Sequence, residues 1–360
     1  MSTAGPSLLV QVLREPERLR ALDEAQWNLL ARQARRSDLL ARVACLAEET
    51  GVHAGLATQV GAHLDDILVL AKAQADEVGR EVEFLARALA PLGIPVTLMK
   101  GAAYLMSGRR AALGRLFSDI DIMVPKARIG EAEAALMLNG WAGSHHTPYD
   151  QRYYRQWMHE IPPMQHIHRG TTLDVHHAIL PETARLRPSS ALILSAAVPI
   201  ADDPRVQVLA PHDMVLHSMT HLFHNEELSH GLRDLSDLDL LLREFGAQPS
   251  FWPGLVERAK QLDLTRPLFY GLRYARQFLA TPVPEETTAT LVPFGPGQPM
   301  GTLMDKLWSR GLAPQHPSAA PSNMAPALFA LYGRAHWLRM PPVLLARHLS
   351  TKAFTSKPKP

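Results

Sequence analysis

Apolar side chains recur at every third or fourth position through Leu8–Leu22, Trp27–Leu46 and Leu64–Leu92, the period of one buried helix face. Ala, Leu, Arg and Glu, all good helix formers, fill the gaps, and Gly51 and Gly61 punctuate the run. A bundle of about three or four helices is therefore expected before residue 90. At Gly93 the texture changes. Ile94–Met99 is short, apolar and β-leaning, and it follows a helix-ending glycine. Lys100–Met106 reads as a turn running into a helix, Phe117–Val124 as a second strand, and Lys126–Leu138 as a helix stopped by Asn139-Gly140. Met158–His168 and Thr171–Leu180, parted by Arg169-Gly170, have the spacing of an antiparallel hairpin.

Val206–Leu209 is a further short strand, and Ala210-Pro211-His212-Asp213 opens a helix, with Pro and Asp suited to a first turn. Helices are expected over 212–228, 231–246 and 251–279. Residues 281–325 are rich in Pro and Gly and read as a linker with one short helix, Thr302–Trp308. Ala325–Phe354 reads as a basic, aromatic helical tail with a frayed end. The chain thus divides into 1–90, 91–209, 210–280 and 281–360, an α+β arrangement in which a small sheet unit is flanked by N-terminal and C-terminal helical regions. No internal repeat is evident.

Composition narrows the class. The chain has 360 residues, 46% of them hydrophobic and 20% charged, which is ordinary for a globular protein. A formal net charge of +2 gives no global field that demands nucleic acid or an anionic membrane. The single cysteine, Cys45, excludes an internal disulfide and fits a reducing compartment. It stands in an apolar-periodic stretch, as a buried inert thiol would. No secretory leader or spanning segment is recognisable, so the expected location is the cytoplasm.

The candidate chemistry sits in the sheet unit. On a strand over Phe117–Val124, Asp119, Asp121 and Met123 share one face, and Ile120, Ile122 and Val124 the other. Carboxylates about 7 Å apart, twice the rise of a strand, repel unless a cation joins them. A hard divalent ion such as Mg²⁺, or Mn²⁺, accepts such oxygen ligands. Taken alone, Asp-x-Asp also fits a solvated strand end. Two neighbours change its meaning. Lys100-Gly101-Ala102 follows a strand and opens a helix, where backbone N–H groups approach a phosphate closely. Lys100 itself pairs with a phosphate or stands in solvent; the pattern leaves both open. Asp174 and His176 share a face of a later strand, and a third carboxylate there would hold a cation or orient a base for an acceptor hydroxyl.

The stretches Leu98-Met-Lys-Gly-Ala-Ala-Tyr-Leu105, Gly114-Arg115-Leu-Phe-Ser118-Asp119-Ile-Asp121 and Leu173-Asp174-Val-His176 resemble the nucleotidyltransferase superfamily of DNA polymerase β type. More narrowly they resemble a bacterial family of uncharacterised nucleotidyltransferases. Leu209–His217, His221 and Arg233–Asp237 look similar to that family's later helical segment. The resemblance implies a small, mixed, twisted sheet with Asp119, Asp121 and Asp174 as catalytic metal ligands. It implies that Lys100, Gly101, Ala102, Arg115 and Ser118 hold the nucleotide, with Arg109 and Arg110 as alternatives on a mobile loop. It makes 91–209 the catalytic core and 210–280 a helical domain that contacts nucleotide or substrate. One departure stands out: Gly-Ala replaces the Gly-Ser or Gly-Gly common at this turn, so a hydroxyl for the phosphate is missing.

His217, His221 and His224 lie at helical spacing. As a zinc site they would need a further ligand, for which His230, Glu226 or Asp234 are available; lining the cleft or packing is the expectation. His176, Arg233 and Asp237 are further cleft candidates. Of the other histidines among the chain's 17, His145, His146, His159, His166 and His168 show no ligand spacing and are expected on the surface. The tail from Leu328 to Lys352 either touches an anionic membrane peripherally or docks on the core with its basic side solvated, and docking is expected. The resulting expectation is a metal-dependent transfer of a nucleoside monophosphate from an NTP to a hydroxyl, with pyrophosphate released. The acceptor would be a small molecule or a protein, with tRNA disfavoured. The alternatives are a weakly active regulatory nucleotide binder and a toxin- or antitoxin-type transferase directed at tRNA.

Overall fold

The computed structural model describes residues 6–143, 148–200, 203–321 and 323–346. Seven short strands form one mixed sheet: β1 Val96–Met99, β2 Ile120–Met123, β3 Trp141–Gly143, β4 Met164–His166, β5 Thr172–His176, β6 Val198–Ile200 and β7 Asp203–Val208. Their order is β3-β4-β5-β2-β1-β7-β6. β1 runs antiparallel to β2 and parallel to β7, while β2 runs parallel to β5. The hairpin expected around Arg169-Gly170 is present as β4 and β5.

Both central strands are buried along their whole length, so Met123 is as enclosed as Ile120 and Ile122. Helices cover the sheet, which is why the in-out alternation read from the sequence does not become an exposure alternation. The second strand is shorter than expected: Phe117, Ser118 and Asp119 precede β2 as irregular backbone.

The N-terminal region is helical at Leu8–Arg14, Glu24–Arg36, Leu40–Glu49 and Thr58–Leu89. Gly61 lies inside the last of these rather than before it. That long helix joins two hydrophobic clusters. Leu64 packs with the first helices, whereas Val78, Val82, Leu85 and Leu89 belong to the core around the sheet. Cys45 is half-buried rather than enclosed, and burial pushes its thiol pKa up.

Helices Pro211–His224 and Gly231–Phe245 follow β7 as expected. The expected helix over 251–279 is two, Phe251–Gln261 and Thr265–Leu279. Asp263 adopts φ +57°, a left-handed conformation that Asp tolerates, and the chain turns there. The linker over 281–325 carries its expected short helix, longer than expected at Met300–Gly311, and an unexpected further helix, Glu285–Leu291. Pro284 and Pro299 stand at their N-caps, where a missing N–H costs nothing and the fixed φ favours a helical start.

The tail helix Met324–Arg339 packs on Met300–Gly311 and Pro211–His224. Its basic side is not wholly solvated. Arg334 donates to Phe223 O at 2.7 Å and lies over the Tyr270 and Trp308 rings. Arg347 and Lys352 lie outside the described residues. Among the described residues no helix is long and apolar enough to cross a membrane.

Candidate active site

The sheet register assembles the carboxylates. Met99, at the end of β1, lies opposite Asp121, and Asp174 lies opposite Asp121 on the other side. Asp121 therefore sits between the Lys100 turn and a second carboxylate. Lys100 has φ +48°, a left-handed backbone at the sharp passage from β1 into helix Lys100–Met106. Its Nζ donates to Asp121 Oδ1 at 2.6 Å, and His176 Nε2 lies 2.9 Å from the same oxygen.

Asp121 is buried. Burial alone would raise its pKa, but the Lys100 charge and the His176 contact outweigh it and hold the carboxyl well below the usual range. Asp174 is the reverse. Burial, followed by the charges of Asp121 and Glu160, pushes its carboxyl up to about 7 against the pull of His176. Its Oδ1 is buried without a hydrogen-bond partner. One donor atom each from Asp121, Asp174 and His176 lies within 4.8 Å of the others. A repelling carboxylate pair, an orphaned carboxylate oxygen and convergent donors fit a divalent cation, which would relieve both the repulsion and the unmet acceptor.

In front of Asp121 opens a cleft with a volume of about 260 Å³. Gly101, Arg115, Ser118 and Asp119 border it from the sheet side. Ser118 is exposed and donates to Asp119 Oδ1 at 2.9 Å. Gly101 is required by crowding: a Cβ there would lie 2.6 Å from Arg115 Nε and 3.2 Å from the Phe117 ring. Ala102, by contrast, is buried in the core and does not border the cleft.

The model of a family described as uncharacterised nucleotidyltransferase matches residues 23–280. The chain belongs to that family. Membership makes the protein a nucleotidyltransferase. No curated protein sequence matches it. It is similar to the solution structure of the antibiotic-resistance factor ANT(2'')-Ia at 16% identity, over 57% of this chain and 98% of that one, with a TM-score of 0.35. A likeness that distant carries no argument about the site.

In this nucleotidyltransferase the opposite wall of the cleft comes from helices Pro211–His224 and Gly231–Phe245, through His221, Arg233 and Asp237. His217 is buried close by but does not border the cleft. Burial drives its imidazole and that of His221 down, the latter to about 3, so both are neutral. Among the described residues, His217, His221 and His224 are in no group of convergent metal donors. Arg115 is held in the wall by an ion pair with Asp237 and lies over the Tyr104 ring. Arg109 and Arg110 are engaged elsewhere. Arg109 pairs with Glu244 at 2.8 Å and Arg110 with Glu49 at 3.0 Å, and neither borders the cleft.

Three residues at or near the site carried no motif signal. Arg42, from helix Leu40–Glu49, is fully buried and donates to Leu113 O, Ala111 O and the Ser236 hydroxyl. It also pairs with Asp237 at 2.8 Å, so an N-terminal helix fixes both the loop before Arg115 and the residue that holds it. Its signal was an arginine amid the apolar face Leu39, Val43 and Leu46. The others are His159 and Glu160, which the chain lays beside His176 through a bridge outside the hairpin. Their expected neighbours on the surface also move. His166 is buried and His159 half-buried, because β4 and the segment before it pack inward, whereas His168 is exposed. His145 and His146 lie outside the described residues.

Proposed function

We propose that the protein transfers a nucleoside monophosphate from an NTP to the hydroxyl of a small-molecule or protein acceptor, in a divalent-ion-dependent reaction of polymerase β type that releases pyrophosphate. The observation that carries the reading is the pairing of Asp121 with Asp174 on adjacent parallel strands, one turn from Lys100-Gly101. Asp119, Asp121 and Asp174 are the residues that would hold Mg²⁺ or Mn²⁺. Bound there, such ions would polarise the phosphoryl oxygens and offset charge on the leaving pyrophosphate.

The chain's own groups supply the rest. Gly101 leaves room for a phosphate against the backbone. Lys100, whose ammonium neutralises Asp121, is the cation nearest the phosphates, and Arg115 presents a second positive charge from the cleft wall. Asp174, opposite Asp121 on the neighbouring strand, would align or deprotonate the acceptor hydroxyl, with a bound cation keeping its carboxylate ionised. His221, Arg233 and Asp237 face the nucleotide or the acceptor. Near-neutral net charge favours a small or protein acceptor over tRNA.

The second reading, a weakly active regulatory nucleotide binder, draws on one observation. Ala102 offers no hydroxyl at the phosphate turn. Incubation with each labelled NTP, Mg²⁺ or Mn²⁺ and cell extract separates the two. Label transferred by the intact protein and not by Asp119→Ala/Asp121→Ala supports the transferase. Nucleotide binding without transfer to any acceptor pool supports the regulatory reading.

A further inference from the structure

Beyond the catalytic carboxylates, the far side of His176 carries donors that the transferase reading does not use. One ligand atom each from His159, Glu160 and His176 lies within 4.8 Å of the others. The His159 and His176 rings are 5.3 Å apart between centroids. His176 is only 3% exposed, yet its Nδ1 lacks an aligned hydrogen bond, with Glu160 Oε2 at 3.1 Å as an ionic contact. His159 Nδ1 is likewise buried without a hydrogen-bond partner. Buried imidazole nitrogens without partners are costly unless something ligates them.

We propose that His159, Glu160 and His176 form a second cation site, adjoining the nucleotide cleft and selective for a borderline divalent transition metal such as Zn²⁺ over Mg²⁺. The donor chemistry sets the selectivity. Two imidazoles and one carboxylate are the ligands that Zn²⁺ favours, whereas Mg²⁺ seeks an all-oxygen shell. The second ring nitrogen of His176 supports the assignment. Nε2 lies 2.9 Å from Asp121 Oδ1. A metal-ligating imidazole characteristically donates its other N–H to a carboxylate, which fixes its tautomer and orientation. His176 is arranged for that: Nδ1 toward Glu160, with the His159 ring alongside, and Nε2 toward Asp121. The ion would thereby orient Asp121 from behind while the catalytic cations are held by oxygens in front.

The test is metal binding alone, without nucleotide, on the untagged full-length chain stripped with chelator. Isothermal titration with Zn²⁺ in excess Mg²⁺, which occupies the carboxylates, should still show one tight site that Mg²⁺ does not displace. His159→Ala and Glu160→Gln should each weaken it by about tenfold or more. Asp174→Asn should leave it intact, since that side chain belongs only to the other donor group. Zinc X-ray absorption on the unmutated protein should show two imidazoles in the first shell, which keeps the test decisive where a variant fails to fold. Absent Zn²⁺ binding, a first shell with fewer than two imidazoles, or affinity lost in Asp174→Asn but kept in His159→Ala would each overturn the proposal. Because no transfer is measured, failure here leaves the nucleotidyltransferase reading untouched, and the reverse.

Discussion

Asp121 does two things that a single substitution would expose together. Its carboxylate compensates the half-buried ammonium of Lys100 and faces His176, and it stands at the head of the proposed cation ligands. Asp121→Asn should therefore abolish transfer and also destabilise the fold. Removing one member of a buried pair costs about 3–5 kcal/mol, reduced here because Lys100 retains some solvent. Denaturant titration alongside a transfer assay checks both. A gentler probe is Gly101→Ala. Its Cβ would meet Arg115 Nε at 2.6 Å, so the guanidinium must move. Nucleotide affinity should fall by about tenfold, with a stability loss of about 1–3 kcal/mol from overpacking. Nucleotide titration calorimetry on Gly101→Ala reads the first effect directly. Both Asp121 and Gly101 were legible in the sequence, because strand alternation and a strand–Gly–helix turn are local patterns. His159 and Glu160 were not, since only the tertiary bridge to His176 brings them to the sheet.

Among elements, the loop that carries Arg115 is shaped by a close approach to the N-terminal helices. Gly114 has φ +57°, and a Cβ there would lie 2.4 Å from Arg42 N and 2.5 Å from Ala41 C and O. Backbone cannot yield as a side chain can. Gly114→Ala should thus destabilise by more than Gly101→Ala, at least about 2–4 kcal/mol from left-handed strain and overlap combined. It should also release Arg42 from Leu113 O and Ala111 O. Chemical denaturation of the two variants side by side tests the ranking. Element types were mostly legible: the strands at β1, β5 and β7 and the helices that flank them follow from periodicity. Boundaries failed where a single residue decided them. Asp263 in a left-handed conformation broke a helix, Pro284 began an unexpected one inside what composition marked as linker, and the helix expected from Thr302 began earlier, at Pro299.

For the whole molecule, two buried histidines, His217 and His224, and the partly buried His221 on helix Pro211–His224 make acid sensitivity a property of the fold. Burial lowers His217 well below its ordinary value and lowers His221 and His224 to about 3, from 6.5. The unfolded chain binds these protons below pH 6.5 and the folded chain does not until near pH 3. Stability rises with pH wherever the unfolded state binds more protons. It should therefore be fully present above pH 6.5 and fall steadily toward pH 3. Denaturant midpoints across that range should drop less in His224→Gln than in the unmutated protein. At this scale the sequence was least informative. Nothing local announced that Arg42, some seventy residues upstream of Leu113, would clamp the cleft wall together with Asp237.

The central claim is that the cleft transfers the nucleotidyl group and not the terminal phosphoryl group. The most direct measurement is a paired reaction with NTP labelled at the α-phosphate or at the γ-phosphate, with Mg²⁺ or Mn²⁺ and a fractionated acceptor pool. Label from the α position should appear on acceptor, label from the γ position in pyrophosphate, and both should vanish in Asp121→Asn. Transfer of the γ label to acceptor, or α transfer that persists in Asp121→Asn, would contradict the account.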